Sequence, residues 1–267
     1  MLADIVLPVT QWAEEEGTMT SLEGRVLRRR RALAAPAGVR TELEVLHDLA
    51  ARLGVHEGFP TDPAEVFDEL GRASAGGVAD YSGITYARLD AGEALHWPCP
   101  ATPDGASEHP GTPRLFLDRF ATPDGRARMV AVDHRGPADR LSPERPLYLV
   151  TGRVLEHYQS GAQTRRVPAL AAAQPEPYVE MHPWLADRLG IADGEPAEVT
   201  SARGTAVAVA RVTPTARPDT VFMPFHWPGE GSANRLTTDA TDPVSGMPEF
   251  KVATVDVRAV GATGDAR

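Results

Sequence analysis

Residues 147–166 read Leu-Tyr-Leu-Val-Thr-Gly-Arg-Val-Leu-Glu-His-Tyr-Gln-Ser-Gly-Ala-Gln-Thr-Arg-Arg. The apolar, strand-like run Leu147–Val150 changes abruptly into a polar segment that contains glycine, three arginines and many neutral hydrogen-bonding side chains. A strand that ends in such a loop is suited to surround a large anion that accepts several hydrogen bonds. An ordinary solvated loop has a similar composition, so composition alone leaves both interpretations open.

A second segment nearer the C-terminus repeats this arrangement. A short apolar strand leads into Pro-Phe-His-Trp-Pro-Gly-Glu-Gly at 224–231, then into Asn234 and finally Lys251. The side-chain amide of Asn234 can both donate and accept hydrogen bonds, as recognition of a base or pterin edge requires. Lys251 could contact a phosphate or a reducible centre. His226 and Trp227 could line a ligand mouth. A polar turn and a packed histidine explain the same residues, so both interpretations stay open here too.

Composition limits the functions that the chain can have. Its 267 residues suffice for about two domains with a real core. The formal net charge of −10 argues against general nucleic-acid binding and against attraction to anionic membranes. The sequence has no apolar run long enough to span a bilayer and no secretory signal pattern at its start. We therefore expect a cytoplasmic protein that has neither nucleic acid nor a membrane as its partner.

Two residue types occur only once. Cys99 is the only cysteine, so an internal disulfide and a four-cysteine zinc or iron–sulfur site are excluded for this chain alone. Lys251 is the only lysine among the 27 lysine and arginine residues. A steric need for its compact charge would explain why this one position is not arginine, and chance explains it equally well. The sequence contains no nucleophile elbow, P-loop, GxGxxG or HExxH motif, so we predict no catalytic and no metal-binding residue.

The first half of the chain combines helices with turns. Short strands are predicted at Ile5–Leu7 and Gly24–Leu27. A capping box predicts the helix Thr41–Leu53, and Asp62 followed by proline predicts the start of a second helix. From Gly71 to Asp139 glycine and proline recur and the periodicity fades, which is typical of a connector that follows the surface.

After Pro146 the pattern indicates short strands. A hairpin is predicted within Ala197–Val212, with further strands at Thr220–Met223 and Val252–Val257 and a short helix at Pro183–Leu189. Short strands joined by turns indicate a closed barrel or a sandwich. The predicted fold class is therefore α+β with β-structure dominant, and a domain boundary is expected near residue 140.

Taken together, these segments resemble the C-terminal part of the bacterial molybdenum bis(molybdopterin guanine dinucleotide) oxidoreductases, and most of all their assimilatory and periplasmic-type nitrate reductases. The resemblance extends over nearly the whole chain and is carried by Ala3–Pro8, Trp12–Gly17, Glu23–Val26, Asp80–Gly83, Trp97–Pro100, His109–Pro113, Thr122–Arg126, Thr151–Arg166 and Asn234–Pro243. Leu22 departs from the family pattern, in which a more polar residue is expected.

The resemblance implies three regions. Residues 1–57 correspond to the remainder of an α/β molybdopterin oxidoreductase domain, and residues 58–140 to the connector of the nitrate reductases. Residues 141–267 correspond to a dinucleotide-binding domain, which in this family is a double-psi β-barrel of the aspartate-decarboxylase-like type.

The resemblance also implies cofactor contacts. They are Thr151, Gly152, Arg153, Val154, Leu155, Glu156, His157, Tyr158, Gln159, Ser160, Asn234 and Lys251. Phe225 or His226 falls where the family places an aromatic residue near the substrate funnel, and the spacing leaves open which of the two corresponds. A pyrophosphate and a guanine edge suit arginine and amide side chains in an otherwise acidic chain.

Most of the implied enzyme lies outside this sequence. The resemblance implies the molybdenum bis(molybdopterin guanine dinucleotide) cofactor here, with a 4Fe–4S cluster and the molybdenum ligand only upstream. It implies reduction of nitrate to nitrite, with the upstream domains of the same subunit and an electron-donating reductase or ferredoxin as partners. We interpret the chain as a C-terminal fragment that is inactive alone. The same region of a formate dehydrogenase, or a stand-alone non-catalytic cofactor-binding subunit, remains an alternative.

Overall fold

The computed structural model of the protein describes residues 3–102 and 110–261. The chain divides into two compact units, Met1–Ala131 (unit 1) and Val132–Arg267 (unit 2). His109, the first residue of one segment that carries the resemblance, lies outside the described residues. Within the described ranges, no helix is both long and apolar enough to cross a membrane.

Unit 1 contains a two-stranded antiparallel sheet and three helices. Its strands are β1 (Gly17–Thr20) and β2 (Val26–Arg29), and its helices are α1 (Glu42–Arg52), α2 (Pro63–Ser74) and α3 (Tyr86–Asp90). Helix α3 lies inside the stretch for which the sequence indicated only an irregular connector. Its five residues are too few to show a helical period in the sequence.

Local side-chain chemistry fixes where α1 and α2 begin. The Thr41 hydroxyl accepts from the Glu44 N–H at 3.2 Å, and the Glu44 carboxylate accepts from the Thr41 N–H at 2.9 Å. This reciprocal pair is the predicted capping box, which is confirmed. Asp62 caps α2 by accepting from the Ala64 N–H at 2.8 Å, with proline at the first helical position.

The predicted strand Ile5–Leu7 is wrong. These residues form no strand, and their side chains are 78%, 66% and 60% exposed. The only pairing nearby is an isolated bridge between Val9 and Arg40. An apolar run becomes a strand only where a partner offers its backbone hydrogen bonds, and within the described residues nothing pairs with this run.

A single apolar cluster forms the core of unit 1. It contains Val26 of β2, Phe67 of α2 and Leu89 of α3, together with Leu95 and the fully buried Cys99. Residues from the first 57 positions thus pack together with residues from the predicted connector. The division of the chain at residues 57 and 140 stays a prediction.

Unit 2 is built around a closed barrel of six strands. The strands are β3 (Leu147–Gly152), β4 (Tyr178–Met181), β5 (Pro196–Thr200), β6 (Thr205–Val212), β7 (Thr220–Pro224) and β8 (Val252–Ala259). Helix α4 (Pro168–Ala173) lies between β3 and β4, and helix α5 (Pro183–Leu189) lies between β4 and β5. The predicted fold class, mostly β with a closed barrel, is confirmed, although the short strand β4 was not predicted.

The strand order places specific loops at one end of the barrel. Around the barrel the order is β3-β7-β4-β6-β5-β8; β3 pairs in parallel with β7 and β4 with β6, whereas every other pair is antiparallel. Strands β3, β5 and β7 therefore end where β4, β6 and β8 begin. Loops 153–177, 201–204 and 225–251 all lie at this end, hereafter called the rim.

Alternation along the strands fills the barrel interior. In β3, Leu147 and Leu149 are 3% and 0% exposed, whereas the intervening Tyr148 and the following Val150 face outward. Valine, alanine and methionine from the other strands complete the same core. Closing the sheet gives each strand a hydrogen-bonded neighbour on both sides, so the barrel has no free edge strand.

Shortening a core side chain should destabilise unit 2. We expect Leu149→Ala to lower the free energy of unfolding by about 2–5 kcal/mol, because it leaves a cavity in a closed core. The control is Val150→Ala at the next position, whose side chain is 36% exposed and whose loss should change stability by no more than about 1 kcal/mol. Urea unfolding followed by far-ultraviolet circular dichroism measures both, and equal losses would contradict the inward and outward assignment.

Candidate functional site

Parallel pairing of β3 with β7 brings the two polar segments of the sequence together. Gly152, the last residue of β3, lies opposite Pro224, the last residue of β7. The Phe225 N–H then donates to the Gly152 carbonyl at 3.1 Å. Both segments, about 70 residues apart in the chain, therefore leave the barrel from neighbouring points on the rim.

Thr151 and Gly152 hold the surrounding loops. The buried Thr151 donates its N–H to the Lys251 carbonyl at 3.0 Å and its hydroxyl to the Phe250 carbonyl at 2.7 Å. A Cβ on Gly152 would lie 2.6 Å from the Phe222 ring, so only glycine fits there. These two predicted cofactor contacts thereby place Lys251 and the ring of Phe225 beside each other.

Two cations lie close to the same aromatic ring on the rim. The Arg153 guanidinium lies 5.6 Å from the Phe225 ring centroid, and the Lys251 ammonium lies 5.7 Å from the same centroid and 5.1 Å from that of Phe250. Arg153 also donates to the Gln159 side-chain oxygen at 3.0 Å. Both cations are exposed, and among the described residues neither lies within 4 Å of a carboxylate oxygen.

The His226 ring is completely buried between the two segments. Its Nε2 accepts from the Val154 N–H at 2.9 Å, so its Nδ1 carries the hydrogen and donates to the Gln159 carbonyl at 2.5 Å. Burial lowers the pKa of His226 from its ordinary value, since the charged ring would lose its solvation. The prediction that His226 or Phe225 lines a substrate funnel stays a prediction.

His157 is a second buried imidazole beside the first. Its Nε2 donates to the Gln174 carbonyl at 2.8 Å, and its Nδ1 pairs with the Thr164 hydroxyl at 3.0 Å. Its ring meets Trp227 edge to face, with centroids 5.1 Å apart, and lies 5.7 Å from the His226 ring. His157 thus ties the start of the β3–β4 loop to its end.

The other predicted residues of this loop differ in exposure. Leu155, Tyr158, Gln159 and Ser160 are exposed on the rim, whereas Val154 and Glu156 are half-buried. Leu155 exposes its whole side chain and Tyr158 about two thirds of its own, at 103% and 68%. These two large side chains are therefore free to lie against a ligand. The assignment of residues 151–160 as cofactor contacts stays a prediction.

Asn234 lies on the same rim, next to the turn between β5 and β6. It belongs to a single 3₁₀ turn, Ala233–Arg235, and its side chain is exposed. Arg235 donates to the Thr205 carbonyl at 2.6 Å, and a Cβ on Gly204 would lie 2.9 Å from the Arg235 carbonyl oxygen. Close backbone approach therefore fixes Asn234 against the barrel, with its amide available to a ligand.

An ion pair that sequence analysis missed supports this part of the rim. Arg203 donates two hydrogen bonds to the Asp139 carboxylate, at 3.0 and 2.6 Å, and a third to the Leu236 carbonyl at 2.9 Å. The same carboxylate accepts from the Thr254 N–H at 3.1 Å. The hydrogen bond from Arg203 lowers the pKa of Asp139. Sixty-four positions separate the pair, and only a covarying partner in related sequences could have revealed it.

The available chemistry fits an anionic ligand that is rich in hydrogen-bond acceptors. Arg153, Arg165, Arg166 and Lys251 supply positive charge, and among the described residues none of them makes an ion pair. Two buried donors, the Trp227 Nε1 and the Arg165 Nε, have no hydrogen-bond partner in the described part of the chain. The described residues contain no group of three or more His, Cys, Asp or Glu that could hold a metal ion.

Two protein families match the chain. The family described as "Molydopterin dinucleotide binding domain" matches residues 147–254, from the start of β3 into β8, and the family described as "Molybdopterin oxidoreductase" matches residues 1–52. The first match covers every residue of the rim discussed above except Asp139.

Similar proteins include two kinds of oxidoreductase. The assimilatory nitrate reductase catalytic subunit of Bacillus subtilis is 42% identical over 96% of this chain and 36% of its own length. The F420-dependent formate dehydrogenase 1 subunit alpha of Methanococcus maripaludis is 36% identical over 97% of this chain and 37% of its own length. The chain thus spans little more than a third of these relatives. The acetylene hydratase from Pelobacter acetylenicus shares the fold, with a TM-score of 0.64 over 95% of this chain, 38% of its own chain and 19% identity.

Removing the Asp139 carboxylate should weaken unit 2 in a pH-dependent way. Because the pKa of Asp139 is lowered on folding, its contribution is complete above its unfolded value of 3.8 and is lost as the pH falls below that value. We expect Asp139→Asn to lower the free energy of unfolding by about 1–3 kcal/mol at pH 7, with the difference shrinking below about pH 4. Urea unfolding between pH 3 and pH 8 measures this difference.

Asp219→Asn is the matched control for this experiment. The hydrogen bond from Arg217 lowers the pKa of Asp219 to about 2, but the two side chains are 54% and 76% exposed. Solvent screens such a pair, so we expect little change in stability. A loss at Asp219 as large as that at Asp139 would show that burial of the Arg203 pair does not matter.

Proposed function

The chain belongs to the molybdopterin oxidoreductase family, and we propose that the rim of unit 2 binds the guanine dinucleotide part of molybdenum bis(molybdopterin guanine dinucleotide). The observation that carries the proposal is the pair of exposed cations, Arg153 and Lys251, which both lie within 6 Å of the Phe225 ring centroid, at 5.6 and 5.7 Å. They lie in an acidic chain, within the segment that matches the dinucleotide-binding family. A doubly charged pyrophosphate is a ligand that such a pair would attract.

Each part of the rim then has its own task. Arg153 and Lys251 bind pyrophosphate oxygens, Arg153 through a planar fork of donors and Lys251 through a compact point charge. Asn234 offers both a donor and an acceptor to the guanine edge. The exposed Tyr158 packs against the flat surface of the ligand. When bound, the cofactor supplies the redox chemistry, and this chain's residues orient it and balance its charge.

We propose that the complete enzyme containing this chain is a cytoplasmic nitrate reductase. The 42% identity to the Bacillus subtilis assimilatory enzyme supports nitrate as the substrate. The partners are then the upstream domains of the same subunit, which hold the 4Fe–4S cluster, and an electron-donating reductase or ferredoxin. Formate oxidation is the second candidate, supported by the 36% identity to a formate dehydrogenase subunit. Assays of the complete enzyme for nitrite formation from nitrate and for formate oxidation decide between the two candidate functions.

Neutralising either cation should weaken ligand binding. We expect the full chain to bind GDP, a fragment of the dinucleotide, and expect Arg153→Ala and Lys251→Ala each to weaken binding about tenfold, because each removes a charge-assisted hydrogen bond. Isothermal titration calorimetry measures the affinity. Raising the salt concentration should weaken wild-type binding more than binding by either variant.

Arg188→Ala is the matched control. Arg188 also lies over an aromatic ring, 4.9 Å from the Trp184 centroid, but it belongs to α5 at the barrel end opposite the rim. Its removal should leave GDP affinity unchanged. The proposal fails if Arg188→Ala weakens binding as much as the rim variants do, or if the wild type does not bind GDP.

A further inference from the structure

The backbone of the segment Val154–Gln159 closes around one side chain from elsewhere in the chain. The Val154 N–H and the Gln159 carbonyl are the two partners of the His226 ring, which lies 72 and 67 positions further along. The ring has no exposed surface. One imidazole therefore uses both of its nitrogens to fix the two ends of this six-residue segment.

Backbone packing adds a third point of attachment. Gly161 has a positive φ of 70°, and a Cβ there would lie 2.5 Å from the His226 carbonyl oxygen. Gln159 also has a positive φ, 49°, which is unusual for a residue with a side chain. The segment adopts this conformation because its ends are held against residue 226.

We propose that His226 is a positioning residue whose neutral imidazole holds Arg153 and Gln159 in the ligand-binding conformation and makes polyphosphate binding at the rim pH-dependent. This role rests on the proposed function of the rim, and it supplies a mechanism by which pH controls binding there. The His226 ring has no exposed surface, so its effect on binding at the rim is indirect. It acts through Arg153, whose guanidinium donates to the Gln159 side chain at one end of the closed segment.

Only one protonation state supports this arrangement. Nε2 must accept from Val154 while Nδ1 donates to Gln159, which requires the neutral ring with its hydrogen on Nδ1. A proton added to Nε2 would face the Val154 N–H, so two donors would meet and this hydrogen bond would break. The segment would open at Val154, the residue directly after Arg153.

A second imidazole and several cations lie near the His226 ring. Burial is the main cause of the lowered pKa of His226. The nearby His157 and Arg153 lower this pKa further, whereas the hydrogen bond to Gln159 opposes the shift. A Cβ on Gly161 would lie 2.9 Å from the Arg165 Nε, and the Lys251 ammonium lies 5.7 Å from the Phe225 ring centroid. Among the described residues, no carboxylate forms an ion pair with any of these groups.

The direction of the pH effect follows from this lowered pKa. An open or unfolded segment takes up a proton near the ordinary pKa of 6.5, whereas the closed segment resists protonation until a lower pH. The closed state is therefore favoured fully above pH 6.5, and its advantage declines as the pH falls through the window below that value. Binding through the closed segment weakens in the same window.

A first measurement needs no ligand. Long-range ¹H–¹⁵N spectra of the full chain, labelled at histidine, should show the His226 hydrogen on Nδ1 at pH 7.5. The Val154 amide should exchange slowly at pH 7.5 and show extra exchange at pH 5.5 once the intrinsic pH dependence of amide exchange is divided out. His226→Gln should remove that extra exchange, because its amide offers a donor and an acceptor but does not titrate. A hydrogen on Nε2, or a charged ring at pH 7.5, would overturn the inference.

A second measurement uses GDP binding to the full chain between pH 8 and pH 5.5. Protonation of the GDP phosphate weakens binding by every variant alike, so the readout is the difference between variants. We expect wild-type affinity to fall about tenfold more than that of His226→Gln, because only the imidazole takes up a proton in this pH range. His226→Phe should bind at least about tenfold more weakly at every pH, whereas His226→Gln should stay within about threefold of wild type at pH 7.5.

His182→Gln is the matched control for these variants. The His182 Nδ1 also accepts a backbone N–H, from Trp184 at 3.0 Å, but it caps α5 at the opposite end of the barrel. The GDP affinity of His182→Gln should depend on pH in the same way as that of the wild type. If wild type and His226→Gln bind GDP with the same pH dependence, the positioning role is wrong while the proposed function stands.

If the wild type does not bind GDP at any pH, the proposed function is wrong, and the ligand-free measurement decides the remaining part of the inference. Opening at Val154 that depends on pH in the wild type but not in His226→Gln supports the role of the ring. The same opening in both proteins overturns it.

Discussion

The two polar segments of the rim meet because β3 pairs in parallel with β7. Parallel strands cannot be joined by a hairpin, and in this chain the long connection between β3 and β7 contains β4, β5 and β6. That long return places Phe225 directly beside Gly152, where their backbones share a hydrogen bond. Thr151 then holds Lys251 through its N–H and the preceding Phe250 through its hydroxyl. The strands thus position two cations and one aromatic ring before any ligand arrives.

The sequence predicts structure that is decided locally. The capping box at Thr41 and the hairpin within Ala197–Val212 depend on neighbours within a few residues. The sequence does not predict structure that a distant partner decides. Ile5–Leu7 has strand-like composition but no pairing strand, and the short β4 owes its existence to β6 and β7. The partners of His226 could not be predicted, since their positions follow from the closed barrel and leave no local pattern.

The barrel unit divides its cations between two tasks. Arg203, Arg217 and Arg258 each pair with an aspartate, and the Arg203 pair also bonds to backbone groups of the loop 225–251 and of β8. On the rim, by contrast, Arg153 and Lys251 have aromatic rings as neighbours and no carboxylate partner among the described residues. In a chain of net charge −10, carboxylates are abundant, so exposed cations kept apart from them preserve a positive potential at one place.

The end of the barrel opposite the rim has a practical consequence. Strand β3 begins there and β8 finishes there, beside the loops 182–195 and 213–219. A circular permutation of unit 2 that joins residue 259 to residue 132 through a linker and creates new termini within 213–219 would retain Asp139 and leave every rim loop uncut. The same short loop could accept a fluorescent reporter. The topology therefore places the end of the barrel where the chain can be cut or extended opposite the end that we propose binds a ligand.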